Sequence, residues 1–162
     1  MSHWEKPGAS DEWYTPRFVF DALGEHFDLD VAAPFDGPLH VPCDSWLSMG
    51  SLLTPWRGFV WGNFPYGGRN SLAPWLDKFF AHGNGIALVP DRTSAPWFHD
   101  AFRQAACVLF TRKIRFLRPD GTEGKSPSNG SALMAAGERG TTALYRAAHG
   151  GLGILALPQV AA

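Results

Sequence analysis

The segment Trp61-Gly62-Asn63-Phe64-Pro65-Tyr66-Gly67 closes an apolar run with a turn that could do chemistry. The side-chain oxygen of Asn63 and a main-chain carbonyl in the next residue are two acceptors close together. They can take both N–H hydrogens of a planar amine. An aryl amine is a poor nucleophile, because its lone pair is delocalised into the ring. Two fixed acceptors favour a more tetrahedral nitrogen and direct its lone pair at an electrophile, a preorganisation effect of about 3–4 kcal/mol per group. The ring of Tyr66 can stack on the base that carries the amine, worth roughly 1–3 kcal/mol. The same residues would also serve a plain strand end followed by a Pro/Gly turn.

Other chemistries fail on spacing. Gly124-Lys125-Ser126 would end a phosphate loop only if residue 119 were glycine, and it is Pro119. There is no G-x-G-x-x-G fingerprint and no G-x-S-x-G elbow. The histidines at 3, 26, 40, 82, 99 and 149 form no metal-binding spacing with one another or with a cysteine, so no metal is expected. Cys43 and Cys107 stand far apart and read as reduced cytosolic thiols.

Regular elements must hold that turn. Thr15 is expected to cap a first helix, with Pro16 at its first position, a stripe of Phe18, Val19, Ala22 and Leu23, and Gly24 as its end. Strands are expected at 27–32, at 39–43 ending on Cys43-Asp44, at 58–63 and at 85–90. Helices are expected at 71–82, with Pro74 in the first turn, and from a Ser94 cap through Pro96 to about Ala106. Further strands are expected at 107–110, 114–117, 132–136 and 153–157. The alternation predicts an α/β sheet with helices on both faces, and the strand-rich end predicts antiparallel strands at one edge. In such sheets ligands bind beyond the carboxyl ends of the strands. If the strands are parallel, Asp30, Asp44 and the turn after Asn63 share one rim.

The chain of 162 residues is one domain's worth, and its 45% hydrophobic content excludes a disordered polypeptide. No apolar run approaches the ~18–20 residues that span a membrane, and the N-terminus does not read as a signal peptide. The net charge of -1 hides an asymmetry. Residues 1–44 carry nine acids against Lys6 and Arg17, whereas the remainder carries 12 bases against 6 acids. That second part suits a polyanion. Arg112, Lys113, Arg115, Arg118 and Lys125 fall within fourteen residues, where a hairpin could follow a phosphate track or simply present a solvated tip. Arg69 could touch a phosphate beside the turn. The 14% of aromatic residues either fill a small core or stack on bases.

Asn63-Phe64-Pro65-Tyr66 resembles the [Asn/Asp/Ser]-Pro-Pro-[aromatic] motif of methyltransferases acting on exocyclic amines. Over nearly its whole length the chain is similar to the phage-type (Dam-like) DNA N6-adenine methyltransferase family. Glu12-Trp13-Tyr14-Thr15-Pro16 resembles that family's W-x-T-P opening, and Phe27 to Ala33 its F-x-x-D-x-x-A strand. Trp56-Arg57-Gly58 through Gly67 resembles W-x-G and the catalytic turn. Arg112 to Phe116 resembles the R-x-x-F strand with one extra residue. Ser126-Pro127 through Leu133 resembles its Pro/Ser-rich segment. Pro34-Phe35-Asp36-Gly37 resembles a P-F-x-G donor loop, without the acid that precedes it there.

The resemblance implies one Rossmann-like methyltransferase domain over residues 1–162, located in the cytoplasm of a bacterial host cell. S-adenosylmethionine is the implied methyl donor and DNA the implied substrate, with adenine N6 as the target and cytosine N4 as the alternative. Trp13, Thr15, Pro16, Asp30, Ala32 and Asp44 would bind the donor. Asp30 would lie beside its methionine part or ribose, and Asp44 would accept from its adenine amine. Asn63, Phe64, Pro65 and Tyr66 would hold a base flipped out of the duplex at a cost of a few kcal/mol. Phe64 departs from the family's proline. It keeps the carbonyl, loses a fixed φ worth about 0.4–1 kcal/mol, and could add a stacking face. A looser site, or a catalytically weak DNA-binding relic, follows from that change. On the first reading Phe64→Pro is expected to raise turnover.

Overall fold

Near-continuous apolar runs such as Ile86-Ala87-Leu88-Val89 suit strands covered on both faces. They make the centre of a sheet in the computed structural model, which describes residues 13–66, 71–127 and 129–159. In chain order the elements are α1 (Arg17–Leu23), β1 (Phe27–Asp30), β2 (Cys43–Trp46), a 3-10 turn (Ser51–Leu53), β3 (Val60–Asn63) and α2 (Ala73–His82). Then come β4 (Gly85–Pro90), α3 (Pro96–Gln104), β5 (Cys107–Thr111), β6 (Ser131–Ala136), α4 (Gly137–His149) and β7 (Gly153–Ala156). The seven strands form one sheet in the order β2-β1-β3-β4-β6-β5-β7.

β1 pairs in parallel with β2 and β3, and β3 in parallel with β4. β6 is antiparallel to both β4 and β5, so β5 runs the same way as β4. β7 is antiparallel to β5. The chain steps from β1 to one side to make β2, then crosses to the other side for β3. The carboxyl ends of β1 and β3 are therefore the topological switch point, beside which open α/β sheets bind their ligands.

Two cores sandwich the sheet. Leu76, Phe79, Phe98 and Ala101 of α2 and α3 pack with Val60, Phe64, Ala87 and Val108. Val19, Phe20 and Leu23 of α1 and Ala143, Leu144 and Ala147 of α4 pack with Phe27, Trp61, Ile86 and Leu109. Each fully buried large apolar side chain contributes about 1.5–3 kcal/mol. Helices thus cover both faces, as the alternation predicts.

Several local expectations change. α1 starts at Arg17, with Pro16 extended before it and no side-chain cap from Thr15, which is buried. Its buried face includes Phe20 and leaves Phe18 53% exposed. The helix is turned because Phe20 meets the edge of Trp61, ring centroids 4.8 Å apart. β2 begins at Cys43 where a strand was expected to end. Pro38 and Pro42 carry no N–H, and the ladder forms only past them, with the Phe27 amide donating to the Pro42 carbonyl at 2.8 Å. The strand expected at 114–117 is reduced to bridges of Leu117 with Tyr14 and Glu123. Of the antiparallel strands only β7 lies at an edge, since β6 is inserted between β4 and β5.

Candidate active site at the carboxyl rim

β1 and β3 each carry a polar side chain at the carboxyl end, at the switch point. Asp30, the last residue of β1, stands opposite Trp61, so Asn63 ends β3 two residues further along. By strand alternation Asp30, Trp61 and Asn63 share the sheet face that α1 covers. The connection at residues 24–26 turns the chain back, which leaves Thr15 and Pro16 at the end of α1 nearest the rim. The rim therefore gathers Asn63, Asp30 and the segment leading into α1.

Asp30 is 3% exposed. Its Oδ1 accepts the N–H of Ala32 at 3.1 Å, which orients the carboxyl. Burial pushes its pKa up to about 7, against the opposing pull of that hydrogen bond. No cationic side chain forms an ion pair with it among the described residues. A buried acid in this place suits a ligand that brings its own positive charge or N–H and O–H donors. Burial first, then the charge of Asp30, pushes the nearby Cys43 thiol up to about 11, so this cysteine stays protonated.

Asn63 is half-buried, and its side-chain amide bonds to no other described residue. Pro65 is exposed and Tyr66 is 49% exposed, so the Tyr66 ring is available for stacking. Phe64 differs from expectation. It is 1% exposed, stacked on Trp75 at 5.3 Å and on Trp56 at 6.4 Å, with Phe79 edge-on at 6.1 Å. Its ring offers no stacking face to a ligand, because an apolar ring gains more in this aromatic core than at a wet rim. Packing of the ring anchors residue 64 where the family's motif has a proline.

Asp44 falls elsewhere. Because β2 begins at Cys43, opposite Phe27, Asp44 lies level with Asp28 rather than with the end of β1. Its carboxylate is exposed and bonds the Nε2 of His26 at 2.6 Å. It stands two residues short of the end of β1 and is engaged by His26.

The basic segment is joined to this region. Tyr14 and Leu117 exchange backbone hydrogen bonds of 2.9 and 2.8 Å. Trp13 lies on Gly124, where a Cβ would come within 2.4 Å of the indole. The hairpin itself is closed by Arg118 N–H to Thr122 carbonyl and Gly124 N–H to Phe116 carbonyl, each 2.8 Å. Arg112, Lys113, Arg115, Arg118 and Lys125 are all exposed. Arg118 is used internally, donating to the Glu123 carbonyl and to Thr122 Oγ1, and Arg115 lies 3.8 Å from Glu123. Arg112, Lys113 and Lys125 make no ion pair among the described residues. Arg69 lies outside the described residues.

Sequence reasoning missed Arg92. It follows β4, whose Leu88 stands opposite Asn63, and so emerges on the same rim. Burial raises the Tyr66 phenol while the charge of Arg92 opposes the rise, which places this guanidinium within electrostatic reach of the ring. The signal available was its place two residues beyond a buried strand.

Among the described residues no helix is long and apolar enough to cross a membrane, and no group of three or more His, Cys, Asp or Glu could hold a metal ion. Comparison with family models, curated proteins and solved structures returned no match.

Proposed function

We propose that the protein is an S-adenosylmethionine-dependent DNA methyltransferase that modifies the exocyclic N6 amine of adenine. The observation that carries this reading is the pairing of Asp30 and Asn63 at the ends of adjacent parallel strands at the switch point. One is a buried acid without a cationic partner among the described residues, and the other is an amide with no hydrogen bond to a described residue.

The donor residues fit a cationic ligand. Asp30, with Ala32 orienting it, would hold the donor's methionine part or ribose, and Trp13, Thr15 and Pro16 would line the pocket from the α1 side. Bound there, S-adenosylmethionine would supply an electrophilic methyl group. The chain's own work is then positional. The Asn63 amide oxygen accepts one hydrogen of the target amine, the carbonyl of Phe64 accepts the other, and Tyr66 stacks on the flipped base. The amine nitrogen would gain the methyl as the methyl–sulfur bond breaks to leave a neutral thioether, and one proton would pass to solvent, so no side chain needs to act as a strong base. The exposed cations at Arg112, Lys113 and Lys125 would meet phosphates.

The burial of Phe64 favours one competing reading, a DNA-binding relic, since the carbonyl of residue 64 must be reachable for the amine to be held twice. Incubation of the protein with labelled S-adenosylmethionine and unmethylated DNA, with mass analysis of the nucleosides, decides between them. N6-methyladenine supports the proposal, and N4-methylcytosine moves the same chemistry to the other base. DNA binding without methyl transfer leaves the relic.

A further inference from the structure

We propose that a groove between α3 and β5 seats an unpaired nucleobase of the DNA strand, a second contact on the rim that carries Asn63. This inference rests on the nucleic-acid part of the function proposed above and extends it from the target base to a neighbour.

The groove has a volume of about 270 Å³ and is lined by Thr93, Phe98, His99, Phe102, Arg103 and Phe110. The three phenylalanine rings lie within 24–28° of parallel, with centroids 6.2 to 6.5 Å apart. Phe98 is buried and forms the base of the set, while Phe102 and Phe110 are only half-buried. The half-buried pair leaves an apolar wall that a planar ring could cover. Ile154, opposite Phe110 in the ladder and 76% exposed, extends the wall over β7.

Charge selects the occupant. The rim of the groove is cationic: Arg103 lines it, and Arg112 and Lys113 leave the end of β5 just past Phe110 and Thr111. Arg92 precedes Thr93. Asp100 offsets one of these, 3.2 Å from Arg103. An apolar protein side chain would fill the wall but leave these cations unanswered, whereas a nucleotide presents a ring and a phosphate together. His99 is held by Nε2–H donation to the Thr93 carbonyl at 2.6 Å, which leaves Nδ1 as the neutral ring's acceptor for a base N–H.

The spacing suits one strand engaged at two points. β5 runs parallel to β3, so its carboxyl end lies on the same rim, three strands away, or about 14 Å. The groove opens on the α3 face and the Asn63 side chain lies on the α1 face, so a strand engaging both passes over the carboxyl edge of the sheet and needs more than the about four stacked nucleotides that 14 Å alone would take.

The test is fluorescence anisotropy of the full-length protein with a labelled 12-nucleotide single strand, without methyl donor. Phe102→Ala and Phe110→Ala are each expected to weaken binding about 5- to 100-fold, the loss of one stacked base, without changing the salt slope. Phe102→Tyr is expected to retain binding, which separates stacking from a folding defect. Arg103→Ala is expected to weaken binding and lower the salt slope by about one. A 2-aminopurine placed in the strand is expected to be quenched by wild type and not by Phe102→Ala. Groove variants that bind within two-fold of wild type, or a wild type that neither binds the strand nor quenches the probe, overturn the inference. Methyl transfer is assayed separately. Transfer with unaffected groove variants removes only this site, and strand binding through the groove without transfer removes only the proposed activity.

Discussion

The ring of Phe64 lies over Gly62: a Cβ on residue 62 would come within 2.3 Å of Phe64 Cε1. The glycine makes room for the ring, and the ring anchors the turn that presents Asn63. Residue 64 is held by packing, so Phe64→Pro exchanges a modest entropic gain for the loss of a buried ring. Removing a buried phenylalanine costs about 3–5 kcal/mol, against about 0.4–1 kcal/mol recovered by fixing φ. Phe64→Pro is thus expected to lower both stability and turnover, opposite to the sequence-based expectation. Urea unfolding with a parallel transfer assay checks it, and a Phe64→Pro variant as stable as wild type would show that the ring does not anchor the turn.

Asp30 gives the protein a pH signature with a definite sign. Its pKa is raised from 3.8 to about 7 by burial. Between these values the folded state binds more protons than the unfolded state, so stability falls as pH rises through this window and is lowest above it. The span corresponds to a few kcal/mol, as an order of magnitude. Asp30→Asn is expected to flatten the slope, measured as unfolding free energy from pH 5 to 8. A ligand that brings positive charge to Asp30 favours the carboxylate and should release protons on binding near pH 6.5. Calorimetry of S-adenosylmethionine binding in buffers of different ionisation heat reads that release, and identical heats in all buffers would remove the charge complementarity.

The sheet was legible where pattern and length agree. Ile86 to Val89 could be little else than a buried strand, and Pro74 and Pro96 mark the first turns of α2 and α3. α4 was not legible, because Gly137, Gly140, Thr141 and Thr142 are poor helix formers. Gly140 is there for contact: a Cβ would come within 2.6 Å of the Gly85 carbonyl oxygen. Long-range choices were also hidden. Nothing local tells β6 to enter the sheet between β4 and β5, and nothing local sends Phe64 inward to Trp56 and Trp75. For the site, the Asn63 and Asp30 pair followed from strand ends alone, whereas Asp44 required knowing where β2 begins.

If Asn63 holds the target amine, its loss should act on the transition state and spare the donor. Asn63→Ala is expected to reduce methyl transfer about 100- to 1,000-fold, the usual effect of removing one preorganised polar group. S-adenosylmethionine affinity should stay within a few-fold, because Asp30 and the segment before α1 remain. Single-turnover transfer together with equilibrium binding separates the two, and a fully active Asn63→Ala would eliminate the proposed role.

The five cations of the hairpin should not act alike, because the fold has already committed some of them. Arg118 donates to the turn carbonyl of Glu123 and to Thr122, so Arg118→Ala should act mainly by loosening the hairpin. Arg115 faces Glu123 at 3.8 Å, an exposed pair of the kind worth about 0–1 kcal/mol, and its charge is partly answered. Arg112 and Lys113 carry no such partner among the described residues. Reversing both to glutamate is therefore expected to weaken duplex binding most and to reduce the salt slope by about two, one for each phosphate contact. Arg115→Ala should change the slope by less. Duplex affinity measured between 50 and 200 mM salt, as an order-of-magnitude range, resolves the ranking. Equal slopes for all variants would move the DNA path away from this hairpin while leaving the proposed site at the ends of β1 and β3 in place.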